Sequence, residues 1–235
     1  MSSSGPKAFL RASPWLPVVV GMAIVIMLAI AVSADLTDAF ERTVIGVVRS
    51  EWLATVLEPL RWITELGSTG AVAAVALITF LVGVLVGPWL HGLLGAITIA
   101  LASAANQALK SFMARARPDL LEPIVIERGF SFPSGHSLLS MVAYGVLAVL
   151  VMRSRLPLAV RRGVVAVLGV VILLVGVSRI WLGVHYPTDV LAGWTAGAVI
   201  VLVYARLTRS VSPAPAAAAV DAGPAVPRSD PPARG

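Results

Sequence analysis

The polar chemistry of this 235-residue chain is concentrated in three short segments: KSFMARARP at 110–118, PSGH at 133–136 and SRIWLGVHYPTD at 178–189. Each lies beside a long apolar run, where charge is costly and seldom ornamental. Together they hold two of the three histidines and a set of cations suited to one phosphate group. Lys110 and Arg117 are seven residues apart, almost two helical turns. Both project from nearly one face if the preceding helix continues outward until Pro118 stops it. Alone, the pair would equally serve as the charged flank that anchors a membrane helix. Ser134 and Gly135 stand at a helix start, where free backbone N–H groups bind anions and a glycine lets the backbone come close. His136 is then placed to donate a proton to a bound group. The plainer alternative is a helix cap with an interfacial histidine.

The third segment is the most informative. The fork-shaped guanidinium of Arg179 can hold two phosphate oxygens at once. Tyr186-Pro187 is expected to open a helix, which puts Asp189 in its first turn near His185. A carboxylate on one imidazole nitrogen fixes the tautomer and leaves the other nitrogen as a nucleophile. A merely polar turn is the competing reading, but Arg, His and Asp at membrane depth are rare without function. The third histidine, His91, is expected to be an interfacial residue on the opposite side with no catalytic part.

The elements that must position these residues are apolar. The chain is 58% hydrophobic and 13% charged, with a mean hydropathy of +0.91; a soluble domain carries about 25% charged residues. Six runs read as membrane helices, at 15–33, 71–87, 89–109, 137–152, 163–177 and 190–204. Spanning the hydrocarbon takes about 20 residues, so the last three must extend into their flanking motifs. The expected fold is an all-α bundle of six transmembrane helices over 15–205, with the active site at its outer end. Trp15, Trp89 and Trp181 sit at run ends, as an interfacial belt would have them. Gly193 and Gly197 offer a close-packing face.

Orientation follows from the basic loops. Lys7 and Arg11 precede the first run, Arg153, Arg155, Arg161 and Arg162 join the fourth and fifth, and Arg206 and Arg209 follow the sixth. An excess of Lys and Arg marks the cytoplasmic side, so residues 1–14 and 206–235 are expected inside and all three motifs outside. The segment 34–70, with Phe40, Val44, Val47, Val48, Trp52, Val56 and Leu57 at helical spacing, reads as an amphipathic helix on the outer surface or capping the bundle. The Ala/Pro-rich tail reads as disordered. Val32-Ser33-Ala34 could be a signal-peptide cleavage site, although the first run is longer than a usual signal. The absence of cysteine excludes disulfides, thiolate metal sites and cysteine nucleophiles. The net charge of +6 is spread over loops between spans, which argues against a nucleic-acid partner.

The pattern K-x6-R-P, P-S-G-H and S-R-x5-H-x3-D resembles the signature of the type-2 phosphatidic acid phosphatase superfamily. That superfamily also includes bacterial acid phosphatases, glucose-6-phosphatases and vanadium haloperoxidases. Every motif position is present in order. The resemblance implies metal-independent hydrolysis through a phosphohistidine, with no cofactor. His185 would attack phosphorus, Asp189 would orient it, and His136 would protonate the leaving oxygen. Lys110, Arg117, Ser134, Gly135 and Arg179 would hold the phosphate. The implied partners are membrane lipids and a phosphorylated lipid substrate, of the undecaprenyl diphosphate, phosphatidylglycerol phosphate or phosphatidic acid type. Phosphoryl transfer to an acceptor other than water, and a non-catalytic lipid transporter, are the alternatives.

Overall fold

The computed structural model describes residues 13–51, 55, 58–86, 89–119 and 123–210, and all regular secondary structure among them is helical. The principal elements are α1 (Leu16–Ser33), α2 (Asp38–Val48), α3 (Leu60–Ile63) with a 3-10 turn (Thr64–Gly67), α4 (Thr69–Val86), α5 (Trp89–Met113), α6 (Gly135–Arg153), α7 (Leu158–Trp181) and α8 (Pro187–Ser210). Five helices are long and apolar enough to cross a bilayer. A sixth span results if Leu60–Gly67 and Thr69–Leu85, bent by 54°, are taken as one. Helices suit that setting because each satisfies its own backbone hydrogen bonds where no water can.

The last three spans extend into the motifs as expected. α6 begins inside the PSGH segment, α7 ends beyond Arg179, and α8 starts at Pro187 with Asp189 in its first turn. The core is built around α6, which packs against α4, α5, α7 and α8. Val72, Val75, Ile99, Leu138, Val142, Val146 and Tyr204 meet there. Gly193 and Gly197 admit this packing. A Cβ on Gly193 would lie 2.8 Å from the Ser134 carbonyl oxygen, and one on Gly197 2.7 Å from Met141 Cβ. α1 packs along α8 and leaves most of its surface outward.

Three expectations are corrected, and one helix carries a buried charge. α5 does not run outward to Pro118. It ends at Met113, where Ala114 takes a left-handed φ of 47° and its N–H bonds to the Lys110 carbonyl, a helix-terminating turn. Trp181 is not interfacial but buried with Leu60, Leu182 and Val184. His91 is likewise buried, and its backbone carbonyl accepts from the Tyr204 hydroxyl. α2 is amphipathic as expected, yet its inward face includes a carboxylate, Glu41. Trp52, Val56, Leu57, Lys7, Arg11 and the tail from 212 lie outside the described residues.

Candidate active site

The C-terminal ends of α5 and α7 and the N-terminal ends of α6 and α8 converge at one end of the bundle. His185 lies in the five-residue connection between α7 and α8 and is 1% exposed. Its Nδ1 is 3.4 Å from Asp189 Oδ2 and 3.3 Å from the Ser131 hydroxyl oxygen. Its Nε2 is 3.4 Å from Arg117 Nη1. A guanidinium N–H beside Nε2 suits a lone pair there, which places the ring proton on Nδ1 facing the carboxylate. Burial pushes the His185 pKa down to about 4, more than Asp189 raises it. The imidazole is therefore neutral at pH 7, as a nucleophile must be.

Asp189 is saturated with donors. Arg115 Nη1 donates to Oδ1 at 2.6 Å, while the Tyr186 N–H (2.9 Å) and the Ser131 hydroxyl donate to Oδ2. Arg115 also places Nη2 3.0 and 2.8 Å from the two oxygens of Glu41, which accepts from the Thr188 hydroxyl as well. The Arg115 guanidinium lies 3.9 Å from the centroid of the Tyr186 ring. Burial alone would lower the pKa of Arg115, but Asp189 and Glu41 outweigh it and raise it. The dyad is thus held from behind by a buried carboxylate–guanidinium–carboxylate triad.

In front of His185 stands a second charge cluster. Glu127 bridges Arg179 and Arg117, the latter at 3.1 Å. Arg179 Nη1 also donates to the Thr64 hydroxyl at 2.6 Å, and Arg117 Nη1 donates to the Val184 carbonyl at 2.8 Å. Burial would raise the pKa of Glu127, but Arg179 foremost among its neighbours holds it at about 2. Two guanidinium groups are therefore preset around one carboxylate-sized anion.

The remaining expected residues surround this pair. Lys110 Nζ donates to the Phe130 carbonyl at 2.6 Å, which tethers the loop before the PSGH segment. Ser134 is fully buried and accepts from the Ser137 hydroxyl at 3.0 Å. Its own N–H is not free for an anion, because it donates to the Asp189 carbonyl at 3.0 Å and ties the start of α6 to that of α8. The N–H groups of Gly135 to Ser137 have no acceptor within the helix. Gly135 and His136 line a cavity of about 470 Å³ together with Ser103, Asn106 and Gln107.

All eight residues expected from the sequence gather at this end. Arg115, Glu41, Glu127, Ser131, Thr64 and Thr188 were not foreseen. Arg115 alone carried a signal, since it stands between Lys110 and Arg117 in the same charged segment. The two glutamates come from stretches whose other acids are mostly exposed, and nothing in their spacing sets them apart.

The fold and site define a helical membrane protein with a histidine–aspartate pair facing preset anion-binding cations. A family model of the PAP2 superfamily matches residues 89–212, more than half the chain, and the chain belongs to that superfamily. It is 42% identical over 96 residues to phosphatidylglycerophosphatase B of Bacillus subtilis (strain 168), covering 40% of this chain and 47% of that protein. It is 33% identical over 112 residues to an undecaprenyl-diphosphatase of Sulfolobus acidocaldarius, covering 44% and 48%. The chain thus spans about half the length of these curated relatives. The crystal structure of the first transmembrane PAP2-type phosphatidylglycerolphosphate phosphatase from Bacillus subtilis superposes with a TM-score of 0.72 at 29% identity, covering 84% of this chain and 98% of that one. Aquifex aeolicus LpxE shares the fold, with a TM-score of 0.54 at 20% identity over 71% and 95%.

Proposed function

We propose that this chain is a membrane phosphatase that hydrolyses a phosphate mono- or diphosphate ester of a lipid through a phosphohistidine on His185. The observation that carries the reading is the placement of His185, with Asp189 on Nδ1 and the Arg117–Arg179 pair on the Nε2 side. In the first step Nε2 attacks phosphorus, the bond to the leaving oxygen breaks, and His136 gives that oxygen a proton. Asp189 balances the charge that the imidazole acquires. In the second step water attacks the phosphorus, His136 takes its proton, and phosphate leaves His185 neutral.

Phosphate would take the place that the Glu127 carboxylate holds between Arg117 and Arg179. Lys110 and the N–H groups from Gly135 onward would supply further donors, and Ser134 would fix the helix start that aims them. Such preset donors carry most of the catalysis in phosphoryl transfer. The substrates named for the relatives, phosphatidylglycerol phosphate and undecaprenyl diphosphate, have in common a phosphate at the end of a membrane-held tail. The basic loops support termini on the cytoplasmic side and a site facing outward.

The test is a rapid alkaline quench of detergent-purified protein with substrate labelled at the terminal phosphorus. Labelled protein is expected from the natural chain and none from His185→Ala. Label or turnover retained in that variant would remove His185 as nucleophile.

A further inference from the structure

The leaving group must lie on the side of the proton donor, and the space on that side is the cavity lined by Gly135 and His136. Its most deeply buried polar side chain on α5 is Asn106, which is 6% exposed. Asn106 lies one turn before Lys110 on the same helix face. Its amide lies against the helix start that the PSGH segment forms: a Cβ on Gly135 would lie 3.0 Å from Asn106 Nδ2 and 3.7 Å from Lys110 Cε. Yet the amide oxygen is buried without a hydrogen-bond partner. A second cavity that Asn106 borders, of about 180 Å³, offers none either, because its other lining residues (among them Met22, Ala105, Leu109 and Val199) are apolar. A buried amide left unpaired is costly in a folded protein, and the cavity that Asn106 shares with Gly135 and His136 is the direction from which a polar partner can arrive.

We propose that Asn106 is a specificity-determining residue that receives a free hydroxyl on the leaving group. The hydroxyl would be carried a few bonds from the scissile ester oxygen. This inference rests on the phosphatase reading above and narrows it. A glycerol phosphate headgroup supplies such a hydroxyl. The alcohol released from phosphatidic acid has both neighbouring oxygens acylated and supplies none. A primary amide both donates and accepts, as a hydroxyl does, so the pair is matched whichever way the amide is turned. A site built to hydrogen-bond a hydroxyl discriminates against the analogue that lacks it far better than an apolar pocket discriminates by size.

The experiment compares kcat/KM for phosphatidylglycerol phosphate and for phosphatidic acid with matched acyl chains, in detergent. It uses the natural chain, Asn106→Leu and Asn106→Ala. The expected result is a loss of about tenfold or more on the glycerol-bearing substrate, with phosphatidic acid hydrolysis changed little, so that the preference collapses. Asn106→Leu should also unfold at the same or a higher temperature, because it removes an unpaired buried amide. Equal losses on both substrates in both variants, or an unchanged preference, would overturn the assignment. Hydrolysis by the natural chain of neither substrate, nor of undecaprenyl diphosphate assayed alongside, would overturn the phosphatase reading itself, a result that the variants cannot mimic.

Discussion

α1 and α6 are both apolar helices of 18 and 19 residues, and the chain uses them in opposite ways. α1 has the higher mean hydropathy, 2.7 against 1.8, but only 11% of its span is buried against 61% for α6. In a bilayer the most apolar helix is the one that faces lipid, because an interior need not be more apolar than hydrocarbon. α6 can therefore bury Ser137 and Ser140 as well as Val142 and Val146, and it begins within the PSGH segment. Between these two helices the more apolar one is the more exposed, and the candidate site lies with the other.

Substitutions should separate the two regions steeply. The largest effect is expected from His185→Ala, which removes the proposed nucleophile just before α8. Its kcat/KM should fall by at least about 10³-fold, as measured by phosphate release. Arg115→Ala leaves Asp189 and Glu41 as buried carboxylates without their shared cation. Breaking such a buried arrangement costs about 3–5 kcal/mol, readable as a lowered unfolding temperature together with lost activity; Arg115→Lys should recover stability only in part. Gly193→Val forces a side chain against the Ser134 carbonyl, for about 1–3 kcal/mol of overpacking. It should impair activity as well, since the backbone it displaces carries the start of α6.

Protonation gives a milder test. An unfolded histidine titrates near 6.5 while His185 in the fold titrates near 4, so the unfolded chain takes up the proton first. Stability from this residue is intact above about pH 6.5 and declines as the pH falls toward about 4. Melting curves across that window should show the decline, and His185→Asn should reduce it. The smallest effect belongs to α1. Met27, 62% exposed, can become alanine with a change within about 0.5 kcal/mol. A large loss from Met27→Ala would break the contrast between the two helices.

The motif residues were legible because each pairs an unusual charge with an apolar neighbourhood, and helix-start chemistry put Asp189 near His185 before any coordinates. The path of Arg117 was not legible. Pro118 looked like the stop, but the chain turns at Ala114, a residue with no local preference for a left-handed conformation. Glu41 was hidden for another reason. A single acid on an amphipathic helix looks solvated, and only the tertiary position of Arg115 draws it inward. Trp181 was misplaced because its position at a run end also lies under the cover that α3 provides.

The turn at Ala114 has a consequence for how this chain can vary. Just past it, two arginines two residues apart reach the two ends of the same dyad, Arg115 at Asp189 and Arg117 at His185 Nε2. Surface connections ordinarily absorb insertions and deletions. A residue gained just after Ala114 would dislocate both arginines from their partners at once, and a length change at Ala116 would shift Arg117 relative to Arg115. The connection should therefore behave like a fixed ruler in any natural or engineered descendant, with length changes tolerated only after Arg117.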